Sequence, residues 1–525
     1  MVQVTLCLVF AAGNMIQELI QILGDSHKLS RPALHLLLQP HLTQLSLRPC
    51  AGLINNNLIQ LVSVRCKFLT SLDLHSCHRV CPPFLAQLVE GLPRLVKVCL
   101  SDTQCDTSVL SSLSMSCQRL CELDISHCKK LTPSSLLCLG YSTKSGTYCC
   151  QALRVLLVQD FKTHNSQEKW VHALTFLLLA LPNLEQLSNP LLPDALRLIH
   201  GHHFNLAATN PGGFPSLVEL ANTRRAAAKC NGLSNVPYQL KVVSDPGEGM
   251  TERRVTGDGF ILQLKRLEDL QEEDVLTVGC MCPGVEEMAI LLGNQSHLGW
   301  SLLQWPSLTH LTLHSSDHPS RTLEELLPLL TTSGERFHFL SIQNVLWNDG
   351  RSLQDLLTRC PNLHTFQAHF MPRCCAVVLD NEADVELPPV GEDMIPLPKL
   401  QNFTLFLEEG DLLHHHFKNT IGRSLVYLLR GSLKLETLFL CGVPYKLDLV
   451  FETILVSTTP PLPRLKAVSL CQSNVTPWGV SLLLRLGNTL KTVDLSHCRD
   501  VTCRDHHRLQ ERVRKERLDI NIKWQ

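Results

Sequence analysis

The chain contains 525 residues, more than a single globular core usually holds, so it comprises several domains or a repeat array that grows in one dimension. Hydrophobic residues make up 44% of it and charged residues 18%, which excludes an intrinsically disordered chain. The formal net charge of −1 gives no electrostatic reason to expect nucleic-acid binding, and no run of about 18 apolar residues predicts a membrane span.

Cysteine is abundant, with 23 residues, yet its spacing follows a repeat and not the compact disulfide framework of a small secreted domain. Free cysteine is among the residue types most often buried in protein cores. We therefore expect a reduced protein of the cytoplasm, the nucleus or both, with most of its thiols inside the core.

Residues 1–40 are predicted to form an N-terminal helical segment. The apolar stretch MVQVTLCLVFAAGNM lacks the basic region of a signal peptide, because no Lys or Arg comes before Lys28. The apolar pattern continues at helical spacing through Ile16, Leu19, Ile20 and Leu23. This helix can cap the first repeat or dock a partner, and SRPALHLLLQPHL, at 30–42, is interpreted as a linker helix behind it.

From residue 41 the dominant pattern is Leu-x-x-Leu-x-Leu-x-x-Cys. The central positions of the first four units are Leu45, Leu72, Val98 and Leu123, which are 27, 26 and 25 residues apart. This spacing is the period of leucine-rich repeats. The last position of each unit is occupied by Cys50, Cys77, Thr103 and Cys128.

A second run of the pattern occupies the last third of the chain. Its central positions are Leu311, Leu340, Phe366, Phe403, Leu438, Val468 and Val493, and its last unit ends at Cys498. Between the two runs, weaker matches centre on Leu156, Leu187, Leu220 and Met288. The chain thus holds about fifteen candidate units, several of them longer than the usual period.

The chemistry of one unit predicts the fold class. The last two leucines lie two residues apart, so they share one face of a short strand, and the residue between them faces the concave surface. A helical stretch follows, as in PPFLAQLVEGL, where Pro82 suits the first turn. Stacked units bury the apolar side chains that a single unit would leave exposed. We expect an α/β leucine-rich-repeat solenoid, or horseshoe, with parallel strands on the concave face and helices on the convex face. The concave-face candidates are Ser46, Asp73, Asp124, Thr312 and Asp494.

Three segments are predicted: 1–40, the solenoid at 41–503, and a C-terminal capping helix and strand at 504–525. The solenoid carries insertions near 141–152, 202–260 and 371–398, where turn-forming or acidic residues interrupt the repeat. The last insertion is either a solvated loop or a partner-binding loop. The C-terminal helix is basic, so binding of a nucleic acid or an anionic lipid stays open beside capping for Arg508, Arg512, Arg514, Lys515 and Arg517.

The phrase LCELDISHCKK places Asp124, His127 and Cys128 close together, as a metal site or a thiol catalyst would. Near-copies at Cys77 and Cys498 favour a repeated core position instead, where burial raises the pKa of a thiol and makes it inert. Neither a P-loop, a GxSxG, a GxGxxG nor a paired CxxC motif occurs in the sequence. We therefore expect no enzyme, and no catalytic residue, metal or cofactor.

Three repeat copies carry a family resemblance: LTSLDLHSCHRVCPPFLAQL, LCELDISHCKKLTPSSLLCL and LKTVDLSHCRDVT. They resemble the cysteine-containing leucine-rich repeats of F-box proteins and related ubiquitin-ligase adaptors. The Leu-Pro-x-Glu start of an F-box is absent from residues 1–40. The resemblance implies a protein–protein interaction module, the substrate-recognition subunit of a cullin–RING E3 ubiquitin ligase complex. The alternative is a leucine-rich-repeat scaffold or regulatory binding protein without a ligase.

The stretch VTLCLVFAAGNM resembles the helix by which some leucine-rich-repeat receptors of cullin–RING ligases bind elongin C. Cys7 and Ala11 fill the last two positions of that helix motif, whereas its first position falls at Gln3 and departs from the pattern. The resemblance implies elongin B/C, a cullin and a substrate protein as partners. The predicted docking residues are Leu6, Cys7, Leu8, Phe10 and Ala11.

Overall fold

The structure is a computed structural model that describes most of the chain. The described residues are 2–160, 167–204, 212–230, 261–293, 302–316, 321–372, 397–408, 415–455, 462–485 and 489–524. Of residues 2–12, 227–230, 372 and 415–416 only the backbone is described. None of the described helices combines the length and apolar character that crossing a membrane requires.

The described chain forms two compact units. The first contains the described residues up to 230, together with 261–269 and 276–285, and the second contains 270–275 and 286–524. The strands of the first part of the chain are β1 Gln44–Ser46, β2 Ser71–Asp73, β3 Lys97–Cys99, β4 Glu122–Asp124, β5 Tyr141–Ser142, β6 Thr147–Tyr148, β7 Val155–Leu157, β8 Gln186–Ser188 and β9 Arg266–Gln271. Those of the second unit are β10 Glu287–Leu292, β11 His310–Ser315, β12 Phe339–Trp347, β13 Thr365–Pro372, β14 Asn402–Leu407, β15 Thr437–Cys441, β16 Ala467–Ser469, β17 Thr492–Asp494 and β18 Asn521–Lys523.

Helices alternate with these strands along the chain. Those up to residue 281 are Val2–Asp25, Arg31–Leu37, Asn56–Arg65, Pro82–Glu90, Thr107–Ser116, Pro133–Gly140, Gln167–Ala180, Leu192–His200, Leu217–Cys230 and Val275–Met281. The second unit contains Leu323–Ser333, Arg351–Arg359, His415–Gly431, Leu447–Leu455, Pro477–Leu484 and Cys503–Lys515. Short 3₁₀ turns occupy Arg48–Leu53, Glu272–Asp274, Leu302–Gln304 and Gly334–Arg336.

The strands pair in parallel and in chain order within each unit. In the first unit β1, β2, β3, β4, β7, β8 and β9 follow one another, and in the second β10 to β18 do. The register aligns Leu45, Leu72, Val98 and Leu123, all of them buried. Repeated strand–turn–helix units with this register confirm the predicted α/β leucine-rich-repeat fold.

Local chemistry sets where the helices begin. The Asn55 carboxamide accepts the Leu58 N–H at 3.1 Å, and Asp106 Oδ1 accepts the Val109 N–H at 3.2 Å. These side chains satisfy amides that the first helical turn leaves free. Pro82 lies in the first turn of its helix, as predicted.

One predicted repeat unit is wrong. The candidate centred on Leu220 is not a strand, because Leu217 and Leu220 belong to the helix Leu217–Cys230. A capping box starts this helix: the Ser216 N–H donates to Glu219 Oε2 at 2.8 Å, and the Glu219 N–H donates to Ser216 Oγ at 3.2 Å. The strand that follows β8 in the register is instead β9.

The turns after β2, β4 and β17 share one backbone conformation. Ser76, His127 and His497 precede the repeat cysteine and have φ of 61°, 61° and 59°. Behind this turn the Cys128 thiol donates to the Leu100 carbonyl of the preceding unit at 3.0 Å. The left-handed residue thus turns the chain so that the cysteine reaches the neighbouring unit.

The C-terminal helix Cys503–Lys515 packs beside the last strand. The rings of His506 and Trp524 are stacked with centroids 5.7 Å apart, and Trp524 Nε1 donates to the Val501 carbonyl at 3.1 Å. β18 continues the parallel register of β17. Helix and strand therefore cover the end of the second unit together.

Candidate protein-interaction surfaces

The first unit brings three of the predicted concave-face residues into one row. The register aligns Ser46 with Asp73, and it places Asp124 two strands further along. Asp73 Oδ1 accepts the His75 N–H at 2.9 Å, and Asp124 Oδ1 accepts the Ser126 N–H at 3.0 Å. One oxygen of each carboxylate is therefore committed to the turn that follows its own strand.

The other oxygens of these carboxylates accept from neighbouring strands. Ser46 Oγ donates to Asp73 Oδ2 at 2.8 Å, and Cys99 Sγ donates to Asp124 Oδ2 at 3.5 Å. Both aspartates are half-buried. This row is thus a hydrogen-bonded surface in which the acids already support the fold.

The remaining two predicted residues, Thr312 and Asp494, lie in the second unit. The register places them in one row, with Thr312 on β11 and Asp494 on β17. Asp494 Oδ1 accepts the Ser496 N–H at 3.0 Å, as its counterparts in the first unit do. Whether either residue binds a partner stays a prediction.

A different part of the second unit has the composition of a recognition surface. We call the residues of β11–β15 that alternate with the core-facing side chains the recognition strip; among them, Ser341 and Cys441 are buried. Its members are His310, Thr312, His314, Phe339, Ser341, Gln343, Thr365, Gln367, His369, Asn402, Thr404, Phe406, Thr437, Phe439 and Cys441. This set includes hydroxyls, carboxamides, imidazoles and phenyl rings, and it has no Asp, Glu, Lys or Arg. Of the strip, sequence reasoning identifies only Thr312; the alternation within each late strand was the signal for the rest.

Ring contacts organise the recognition strip. His310 stacks on Phe339 with centroids 5.8 Å apart, and His369 meets Phe406 edge-on at 4.5 Å. Burial lowers the pKa of His369, and the carboxylate of Glu408 raises it in part. The lowered pKa favours the neutral imidazole, which can both donate and accept a hydrogen bond.

Hydrogen bonds fix other parts of the strip. The Asn402 carboxamide donates to Thr365 Oγ1 at 3.2 Å and accepts from Thr437 Oγ1 at 2.6 Å. Gln367, two residues after Thr365 on β13, is exposed. The strip therefore combines hydrogen-bonded polar groups with the exposed carboxamide of Gln367.

The N-terminal helix Val2–Asp25 covers the first strand. The Gln17 carboxamide accepts the Ser46 N–H at 2.9 Å and donates to the Ser46 carbonyl at 3.4 Å, while Ile20 is fully buried. On the opposite side Met15 and Ile22 are 68% and 64% exposed. The part of the helix from residue 13 onward thus caps the repeat and also exposes the apolar side chains of Met15 and Ile22 to solvent.

The predicted docking residues belong to the same helix. Their positions fall within its backbone, and their side chains lie outside the described part of the structure. These residues are Leu6, Cys7, Leu8, Phe10 and Ala11. Their docking role stays a prediction.

The repeat cysteines lie in the core. Burial raises the pKa of the Cys50 and Cys498 thiols to about 11, as expected. Cys128 differs, because a hydrogen bond with Cys105 lowers the pKa of Cys128 to about 7 and raises that of Cys105. The expected rise is wrong at Cys128, yet both sulfur-bearing side chains are fully buried, whereas Cys81 is exposed.

Among the residues that the structure describes, no three His, Cys, Asp or Glu side chains converge as metal ligands. A cavity of about 320 Å³ lies between the helices Arg351–Arg359 and His415–Gly431. It is lined by Arg351, Gln354, Asp355, Thr420, Arg423 and Ser424. This lining is polar throughout, unlike the mostly apolar lining of typical small-molecule sites.

Comparison with known proteins gives structural likenesses alone. No protein-family model matches the chain, and no curated protein sequence does. A chain of the crystal structure of the Rad7 and Elc1 complex in yeast is similar, with 13% identity, 92% of each chain covered and a TM-score of 0.45. The leucine-rich repeat-containing protein LegL7 from Legionella pneumophila is similar with 12% identity, 73% of this chain and 96% of that chain covered, and a TM-score of 0.30. The leucine-rich-repeat fold is therefore assigned from the strand register of this chain and not from these likenesses.

Proposed function

We propose that this chain is a non-enzymatic protein-binding subunit, and that it serves as the substrate-recognition subunit of a cullin–RING E3 ubiquitin ligase complex. The recognition strip carries the proposal. Aromatic side chains and adaptable amides and hydroxyls are the groups that protein-binding surfaces favour, because they give contact area and hydrogen bonds without a charge to desolvate.

The geometry of the strip suits a polypeptide partner. Five parallel strands at about 4.8 Å spacing span about 19 Å, a distance that about six residues of extended chain cover. Its side chains form rows on an open sheet face, whereas small-molecule sites are concave and enclose most of the ligand. A protein segment is therefore the ligand class that matches this surface.

The ligase part of the proposal depends on the N-terminal helix. Met15 and Ile22 are exposed apolar residues on the side away from the cap. Counting back from Met15 by four and then three residues reaches Ala11 and Leu8, two of the predicted docking residues. An apolar stripe at this spacing is what a helix needs to bind in a hydrophobic groove of a partner such as elongin C.

Co-purification tests the ligase part. The tagged full-length chain is expected to bring down elongin B/C and a cullin from cells, and Leu8→Glu is expected to reduce their recovery about tenfold or more. The matched control is Leu433→Glu, a charge placed at an exposed leucine of the second unit. Absence of elongin B/C and cullin from the unmodified chain would overturn the ligase proposal.

The alternative function is a leucine-rich-repeat scaffold or regulatory binding protein. Such a protein would bind its partner through the same recognition strip but would not belong to a ligase complex. The two functions differ in the fate of a bound partner: a receptor promotes its ubiquitination in a reconstituted reaction, and a scaffold leaves it unmodified. Unchanged ubiquitination of a partner bound to the strip would favour the scaffold.

We also propose that the chain works in the cytoplasm or the nucleus. The described cysteines are free thiols, a state that reducing compartments maintain. Imaging of the tagged chain tests this location, and a secreted chain with blocked thiols would contradict it.

A further inference from the structure

One edge of the recognition strip carries positive charge. We call the residues just before β12–β15, and before the adjacent strand β16, the leading edge of the strip. It contains His338, His364, Lys399, Lys434 and Arg464, each within three residues of the strand that follows it. The rings of His338 and His364 are in contact, with centroids 5.0 Å apart. These side chains therefore follow one another along neighbouring strands.

The cations of the leading edge are available to a partner. Lys399, Lys434 and Arg464 are exposed, and none forms an ion pair with a residue that the structure describes. The acid on this edge, Glu436, is paired with Lys466 at 2.6 Å. The edge thus keeps three uncompensated cations beside a strip without a carboxylate.

The pKa of His364 responds to the positive charges of the leading edge. Burial lowers this pKa first, and the charges of His338, Lys399 and Lys434 lower it further, while a backbone hydrogen bond with Asn362 raises it in part. His364 Nδ1 is buried without a hydrogen-bond partner among the described residues. Positive potential and an unsatisfied imidazole nitrogen therefore meet at one edge of the strip.

We infer that the recognition strip binds an extended acidic polypeptide segment. The carboxylates of the segment lie along the leading edge at Lys399, Lys434 and Arg464, and its apolar side chains pack on Phe406 and neighbouring rings of the strip. This inference rests on the proposed function and names the class of sequence that the subunit recognises.

The charges favour an acidic peptide over a nucleic acid, which is also anionic. The leading edge offers three free cations, whereas a single strand that crosses the sheet carries a phosphate at every nucleotide. Glu408 is exposed where β14 ends and would repel a continuous phosphate backbone. The exposed carboxamides of Gln343 and Gln367 suit the main-chain amides of a peptide.

Defined probes test the inference on the full-length chain. Three fluorescent peptides of about ten residues share Phe, Thr and Gln and differ only in having Glu, Gln or Lys at the remaining positions; a single-stranded RNA of similar length is the fourth probe. Fluorescence anisotropy gives each Kd at low and at physiological salt. The Glu peptide is expected to bind about tenfold or more tightly than the others, with an affinity that falls as salt rises.

Charge variants separate the strip from general electrostatics. The double variant K399E/K434E and the single variant Gln367→Glu are each expected to weaken binding of the Glu peptide, by about tenfold and about threefold. All three sites are exposed, so folding is preserved. The matched control K129E/K130E changes the same charge at exposed lysines of the first unit and leaves the Kd unchanged.

The inference would be overturned if the three peptides bound with equal Kd, or if the RNA bound as tightly as the Glu peptide or more tightly. It would also be overturned if K129E/K130E weakened binding of the Glu peptide as much as K399E/K434E does. These results are distinguishable from failure of the ligase proposal, which is decided by recovery of elongin B/C and a cullin and does not depend on the strip.

Discussion

A buried ion pair in the second unit provides the sharpest test of how this repeat is held together. Arg321 and Glu272 lie 49 residues apart in sequence. Arg321 Nη2 donates to Glu272 Oε1 at 3.1 Å, and Arg321 Nε donates to the Gly293 carbonyl at 2.9 Å. The Gly293 N–H donates to Glu272 Oε2 at 2.8 Å. The two charged side chains are only 12% and 4% exposed.

Replacing Arg321 with Met removes the cation and keeps a similar apolar stem. Glu272 then retains the Gly293 N–H but loses the charge that balances it. Removing one partner of a buried pair costs about 3–5 kcal/mol, because the other charge stays out of water without compensation. We expect R321M to lower the free energy of unfolding by that amount, a large part of the about 5–15 kcal/mol of a typical domain.

Urea unfolding followed by far-UV circular dichroism measures the loss, provided that the m-values agree. The double variant E272Q/R321M should recover most of it, since glutamine accepts the Gly293 N–H without carrying a charge. The control K466M breaks the pair with Glu436, which is largely solvated, and should cost less than about 1 kcal/mol. A similarly small cost for R321M, or a double variant no more stable than the single one, would refute the reasoning.

Exposed Cys81 is expected to react with a disulfide reagent in the native protein, whereas Cys128 should react only after unfolding despite its lowered pKa; mass spectrometry of the labelled peptides checks both, and native labelling of Cys128 would contradict its burial. Gly442→Ala should cost about 1–3 kcal/mol in a urea melt, because φ is 70° there and the new Cβ would overlap a neighbouring carbonyl oxygen; an unchanged midpoint would argue against strain. Thr502→Val should raise the pKa of Asp505, which the Thr502 hydroxyl and amide hold below its ordinary value. This cap is fully formed above the ordinary Asp pKa and is lost as pH falls through the lowered folded-state pKa, so NMR titration of the carboxyl should show an upward shift in the variant and none if the hydroxyl is irrelevant.

The repeat strands were predictable because two periods constrain them at once. A side-chain period of two and a repeat near 25 residues place Leu72 and Leu123 inside strands and admit one register between them. Where the repeat weakens, local chemistry decides instead. Leu220 kept the leucine spacing, but the Ser216–Glu219 capping box turned that segment into a helix.

The surfaces were predictable only in part. Strand alternation identifies Asp73 and Asp124 as outward-facing, but it cannot show that their carboxylates are engaged by backbone amides two residues later. The pair of Arg321 and Glu272 was also invisible to sequence patterns, because its two residues belong to different repeats. Such contacts depend on which units become neighbours, and only the folded register supplies that information.

The position of Gln17 has a consequence for solubility. Its carboxamide meets both the N–H and the carbonyl of Ser46, so it substitutes for the peptide group that a further strand would supply. The outer edge of β1 is thereby blocked against pairing with another molecule. Any partner that pulled this helix away from the first repeat would uncover a template for strand addition. The helix that protects this edge is also the one proposed to bind a partner, and its displacement should favour self-association.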